Sequence, residues 1–128
     1  LIVDTSALIS ITTGESDASL LRSKLELAKV RQIAAPTVLE TYIVLDRRNL
    51  KDSAELVDLL LVERLEVITF DHDLATLARE AYQQYGKGTG HPAQLNFGDC
   101  FSYALSKRTG YPLLCAGNDF RQTDIRIA

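Results

Sequence analysis

Histidine, cysteine and methionine are scarce in this chain: two His, two Cys and no Met among 128 residues. His72 and His91 stand at no metal-ligand spacing from each other or from a cysteine. This speaks against a zinc-type site, and both side chains are expected to be solvated. Cys100 and Cys115 each lie inside an apolar run. With no signal peptide expected, they read as buried free thiols of a reducing cytoplasm, not as a disulfide. Neither a Ser-His-Asp nor a Cys-His catalytic pattern is apparent. No apolar run approaches the length of a membrane span, and without an initiator Met the first residue is expected to have been removed or not represented. Positive charge is not in surplus either. Fourteen Lys and Arg face seventeen Asp and Glu, a formal charge of −3, so bulk electrostatics do not favour a polyanion. The charge is uneven, however: residues 21–51 carry seven basic against three acidic side chains, and residues 52–78 seven acids against Arg64 alone. One basic surface on an acidic protein remains open.

What is present is an alternation of short apolar runs with longer periodic ones. Leu1-Ile2-Val3 reads as a buried parallel strand that stops at Asp4, followed by a helix from Thr5 that Gly14 breaks. Asp17 suits the cap of a second helix with Leu20, Leu21, Leu25 and Ala28 in period. Gln32 to Ala35 is a weak strand, and Pro36 opens a third helix carrying Val38, Leu39, Tyr42, Ile43 and Leu45, with Glu40 in its second turn. Lys51 to Arg64 reads as a strongly apolar helix and Leu65 to Phe70 as the third strand. Asp71 then caps a helix through Tyr85. Gly86 to Pro92 is expected as a mobile, partly basic loop; it lacks the setting and the Lys-Ser/Thr ending of a phosphate-binding turn. Asn96 is a good N-cap for a helix with Phe97, Cys100, Phe101, Ala104 and Leu105 on one stripe, ending at Gly110. Pro112 to Cys115 is the fourth strand, and Ile125 to Ile127 offers a short edge strand.

This order argues for an α/β fold, a parallel sheet with helices on both faces. Asp4 and Asp119 then lie in loops at the carboxyl edge of the sheet, where such folds bind ligands. Glu40 and Asp99 lie in early turns of helices that can pack over that edge. Three of the acids also have a plainer reading, Asp4 and Asp99 as helix caps and Glu40 as a carboxylate favoured by a helix dipole. If the four meet, they repel one another, and a hard divalent cation relieves the conflict. Oxygen-only ligands point to Mg²⁺ or Mn²⁺. Such a site suits phosphodiester hydrolysis, with a cation lowering the pKa of a bound water.

Leu1-Ile2-Val3-Asp4-Thr5-Ser6-Ala7, Glu40, Asn96-Phe97-Gly98-Asp99-Cys100 and Asn118-Asp119-Phe120 together resemble the PIN-domain ribonucleases, most closely the VapC toxins of bacterial toxin–antitoxin pairs. The resemblance spans residues 1–128 as a single PIN domain. It implies a three-layer α/β/α fold with a central parallel sheet of four to five strands. It further implies a Mg²⁺- or Mn²⁺-dependent endoribonuclease, restrained by a VapB-type antitoxin, homodimeric and part of a toxin–antitoxin hetero-oligomer, with no membrane association. Asp4, Glu40 and Asp99 match the family's acids, Asp4 and Asp99 as metal ligands and Glu40 as a ligand or the residue that positions water. Many PIN domains place an Asp where Gly117 stands here. Asp119 is the nearest acid, Asp124 a further candidate, and the number of metals stays open. Ser6 matches a family hydroxyl that holds Asp4 or a metal-bound water, or it caps the helix.

Three other functions compete. A receiver-type signalling domain would want an acid pair after the first strand, where Asp4-Thr5 stands, and a lysine after the last, where Ala116-Gly117 stands. A catalytically silent PIN module would have lost one of its acids. An aspartyl-nucleophile phosphatase needs a second Asp where Ser6 is. For a nuclease, Arg47, Arg48 and Lys87 are candidate RNA grips.

Overall fold

The computed structural model describes residues 1–128. Strand β1 (Ile2–Val3) is followed by α1 (Thr5–Thr13) and α2 (Ala18–Leu27), then by β2 (Gln32–Ala34), α3 (Ala35–Arg47) and α4 (Lys51–Glu63). Strand β3 (Glu66–Ile68), α5 (His72–Tyr85), α6 (Asp99–Thr109), β4 (Leu113–Leu114) and a 3-10 turn over Asp119–Gln122 complete the chain. All strands are parallel, in the order β3-β2-β1-β4. The first strand is therefore central, and the loop that follows it opens in the middle of the sheet's carboxyl edge.

Side-chain alternation along the strands builds the layers. Ile2, Ala34 and Leu113 face a core shared with Leu74 and Ala78 of α5 and Ala104 and Leu105 of α6. Leu1, Val3, Ile33 and Leu114 face the opposite core, with Leu8 and Ile11 of α1 and Leu21 and Leu25 of α2. Helices thus cover both faces, the three-layer α/β/α arrangement of the sequence reading. A third, smaller cluster of Ile9, Leu45 and Val57 fastens α3 and α4 to α1.

Several elements are shorter than their apolar runs suggest. The helix after β2 begins at Ala35, with Pro36 in its first turn, so β2 has only three residues. Its edge neighbour β3 consequently finds partners for only three, and Thr69 and Phe70 fall outside the ladder. The expected fifth strand reduces to a bridge: Leu113 N–H donates to the Arg126 carbonyl at 2.8 Å, and Ala128 N–H to the Leu113 carbonyl at 2.8 Å. Helix α4 is buried through Val57, while Leu56 and Leu59 lie 44% and 56% exposed beside a groove shared with α2. The loop after α5 is pinned at its base, where Lys87 N–H donates to the Leu95 carbonyl at 3.0 Å and Leu95 N–H to the Tyr85 carbonyl at 2.9 Å. His91 is not the solvated side chain expected: it is half-buried, edge-on to Tyr85 at 4.8 Å, and accepts the Ala93 N–H at Nδ1. Both cysteines are buried and free.

The buried face of α1 packs against the central strand. Leu8→Ala removes a side chain with no exposure and is expected to cost about 2–5 kcal/mol, read as a lower urea midpoint. Leu59→Ala on exposed α4 surface should stay within about 0.5 kcal/mol of the parent.

Candidate active site at the carboxyl edge

Asp4 directly follows β1 and is only 3% exposed. A carboxylate this deep needs donors, and it has three. Ser6 N–H and Ser6 Oγ donate to Oδ2 at 3.0 and 2.6 Å, and Ser102 Oγ donates to Oδ1 at 2.6 Å. Asp4 is therefore the N-cap of α1 as well as a member of the cleft. Ser6 Oγ also accepts the Ala116 N–H at 3.0 Å, which ties this loop to the end of β4. Ser102 is fully buried in α6, 3.5 Å from Thr37 Oγ1 of α3.

Glu40, half-buried in the second turn of α3, accepts the Thr5 hydroxyl at 2.9 Å. Gly98 lies against it so closely that a Cβ there would stand 2.1 Å from Glu40 Oε1. With φ at −66°, the preference for glycine here is one of space and not of backbone freedom: a Cβ would push the Glu40 carboxylate from its place beside Thr5.

Asp99 opens α6. Its Oδ2 accepts the Asn96 N–H at 2.9 Å, and Asn96 Oδ1 accepts the Asp99 N–H at 2.9 Å. This is the reciprocal capping box expected from the sequence, although the helix proper begins only at Asp99 and residues 97–98 form a turn. Phe97, expected on the buried stripe, is consequently 77% exposed.

Asp4, Glu40, Asp99 and Asp119 line one open cleft, with Thr5, Ser6, Glu15, Asn96 and Arg48 on its walls. Burial pushes the Asp99 carboxyl up to about 7, and the Asp4, Asp119 and Glu40 charges push it the same way, against the Asn96 hydrogen bond. Glu40 is raised by burial and by Asp4, with the Thr5 hydrogen bond opposing. The Cys115 thiol beneath the edge is pushed up to about 12, chiefly by burial and then by Asp4. The two salt bridges of the protein, Lys107–Asp124 and Arg108–Asp71, both lie elsewhere. Asp124 accepts from Tyr103 Oη and from Lys107 Nζ and is absent from the cleft lining, where Asp119 is present. Of the candidate RNA grips Arg48 lines the cleft, and Arg47 and Lys87 do not.

The acids share the cleft without closing on one point: no three His, Cys, Asp or Glu side chains form a ready-made cation cage. The donor chemistry nevertheless fits a hard divalent cation. It is all oxygen, acidic and mutually repulsive, and no lysine or arginine pairs with it.

A PIN-domain family profile matches residues 1–126. The chain belongs to the PIN-domain family. Its place among the VapC members follows from the similarity of relatives over nearly the full length. The chain is 46% identical to VapC ribonuclease Mb2780c of Mycobacterium bovis, covering 100% of this chain and 98% of that protein. It is 44% identical to ribonuclease VapC of Mycolicibacterium smegmatis, covering 98% and 97%. Among solved structures, Mycobacterium tuberculosis VapC20, described as a Sarcin-Ricin loop cleaving toxin, superposes with a TM-score of 0.75 at 20% identity, covering 94% of this chain and 92% of that one. A toxin–antitoxin complex from Klebsiella pneumoniae gives 0.67 at 19% identity, covering 93% and 88%. At those identities the structures speak for the PIN fold alone.

Within this PIN domain, sequence reasoning brought together the four acids and Ser6 but missed Thr5, Ser102 and Gly98 as supports of the cleft. Thr5 adjoins Asp4, and Ser102 lies one helical turn beyond Asp99 on the same face, which was a usable signal. The Gly98–Glu40 contact has none in a single sequence.

Two outcomes follow. Asp99 holds its proton to higher pH in the fold than in the unfolded chain, so the native state binds more protons between the ordinary value of 3.8 and about 7. Its contribution to the stability of the cation-free protein therefore falls as pH rises through that window and is level above it. Asp99→Asn should remove this slope and melt a few degrees above the parent at pH 8 in EDTA, with excess Mg²⁺ stabilising the parent alone, read in thermal scans. Ser102→Ala should lower the melting temperature, since it removes the donor to buried Asp4 Oδ1, and weaken Mn²⁺ binding of the still-folded protein about 10–100-fold, as loss of a ligand-orienting group does, measured by calorimetry; Ser102→Thr should recover part of both.

Proposed function

We propose that this chain is a metal-dependent endoribonuclease, the toxin of a VapBC-type pair. The observation that carries the reading is the shared cleft of Asp4, Glu40, Asp99 and Asp119, acids that no lysine or arginine pairs in a salt bridge. Its VapC relatives are named as ribonucleases over the same length, in agreement with a hydrolase acting on RNA. Asp4 and Asp99 would hold Mg²⁺ or Mn²⁺, with Glu40 and Asp119 completing the acidic wall. When bound, the cation supplies Lewis acidity and charge neutralisation at the scissile phosphodiester. The protein's own groups do the positioning. Ser6 and Ser102 fix the Asp4 carboxylate, the Asn96 box fixes Asp99, and Thr5 aims Glu40 at the cleft, where it orients the attacking water.

An antitoxin partner accords with the VapC relatives and with a neighbour solved as a toxin–antitoxin complex. A VapB-type antitoxin would inhibit by placing a basic side chain among the carboxylates in place of the metal's charge. A homodimer within a toxin–antitoxin hetero-oligomer is the assembly we expect, acting in the cytoplasm. No helix is long and apolar enough to cross a membrane. The silent-module reading is disfavoured because Asp4, Glu40 and Asp99 are all present. The receiver reading is disfavoured by the lone acid after β1.

Antitoxin-free protein incubated with cellular RNA should cut in Mg²⁺ or Mn²⁺ and stop in EDTA. Asp4→Asn and Asp99→Asn, confirmed folded, should each lose more than about 100-fold in rate, beyond the 10–100-fold typical of groups one bond further from a metal. Equal cutting by parent and variants would reject the assignment.

A further inference from the structure

Phe97 presents its ring to water from a turn at the acidic edge. Its neighbours Asn96 and Asp99 line the cleft and hold each other by reciprocal hydrogen bonds, and Gly98 is pressed against Glu40. Phe97 itself turns away from the cleft, 77% exposed. It meets Phe101 edge-to-face at 4.8 Å, and Phe101 meets Phe70 in the same way at 5.1 Å. With Ala78 and Tyr82 these rings line an apolar groove of about 240 Å³, and Arg79 is the one charged residue in it. The groove and the acidic cleft are thus two sides of a single turn of chain.

We propose that this groove is a nucleobase subsite, taking an unpaired base adjacent to the scissile phosphodiester of single-stranded RNA and stacking it on Phe97, with Arg79 at the base edge or flanking phosphate. The proposal rests on the ribonuclease reading above. Its first argument is electrostatic. A protein of charge −3 with four acids at the reaction edge repels the RNA backbone, so contacts indifferent to that charge are a favoured source of affinity there. Base stacking on exposed aromatic rings is such a contact and is the common means of holding single strands. The second argument is continuity: a phosphodiester seated at Asp99 has its neighbouring bases within reach of Phe97. The third is size. The groove falls below the roughly 300–1,000 Å³ of pockets for drug-sized ligands, which suits one ring system. Its eight lining residues are far fewer than the roughly 20–30 a side of a stable dimer interface.

The test begins by mapping a cleavage site with the active parent, then uses a short single-stranded RNA spanning it, with 2-aminopurine placed on either side of the scissile bond. Binding is followed in the inactive Asp4→Asn background with Mg²⁺ present. Stacking should quench the fluorescence of one of the two probes. Adding Phe97→Ala should abolish the quench and weaken binding roughly 10–100-fold, whereas Phe97→Tyr should retain both. In the active background, Phe97→Ala should raise KM more than it lowers kcat, with an unchanged melting temperature. An unchanged quench in Phe97→Ala overturns the subsite. So does a fall in sedimentation mass from dimer to monomer, which would make the groove a contact between copies. If the parent cuts no RNA under any metal, the ribonuclease reading fails and the subsite falls with it.

Discussion

A carboxylate almost shut off from water, at the end of the central strand, is the constraint from which the active edge is built. Asp4 keeps its place because three donors surround it, two from Ser6 in the first turn of α1 and one from Ser102 in α6. An unsatisfied buried carboxylate would cost several kcal/mol, on the order of what one domain has to spare. The donors therefore do more than orient a ligand. Ser102 locks α6 against the central strand, and Ser6 locks the end of β4 against the start of α1 through Ala116. The geometry of the site and the closure of the sheet edge are the same hydrogen bonds.

Around Asp4 the fold gathers charge that it does not neutralise. Glu40 and Asp99 are both raised by burial and by their acidic neighbours. The protein's two salt bridges are at other surfaces. Such an arrangement stores repulsion, and folding tolerates it because each acid is tied locally: Glu40 by Thr5, Asp99 by Asn96. Local ties fix position without removing charge. A hard cation is the ligand that such a cleft favours.

Much of this was legible in the sequence because it depends on local signals. The strand ending at Asp4, the cap at Asp71 and the Asn96–Asp99 box each lie within a few residues of chain. The four acids could be placed at one edge because parallel α/β connectivity sends every strand end there. What could not be read depends on distance in sequence. Ser102 reaches Asp4 across 98 positions, and Gly98 is dictated by a side chain on another helix. Asp119 and Asp124 look alike in the chain, and only the fold gives Asp124 to Lys107 and Tyr103. Strand lengths were overestimated because an apolar run records burial, whereas a ladder needs a partner of equal length. Phe97 was misplaced for a related reason: helical period was extended through two residues that form a turn.

The first turn of α6 shows how one segment serves both stability and chemistry. As a cap, Asp99 is best ionised, since its carboxylate accepts the Asn96 N–H and faces the positive end of a helix. As a neighbour of three acids in a half-buried cleft, it is best protonated. Those demands oppose each other in the cation-free protein, and the carboxyl settles near neutrality. A divalent cation reverses the second demand while leaving the first untouched. The ionised form then suits the helix, the metal and the neighbouring acids together. Cation binding would for that reason favour the ionised, capping form of Asp99, on a turn whose Gly98 lies directly against Glu40.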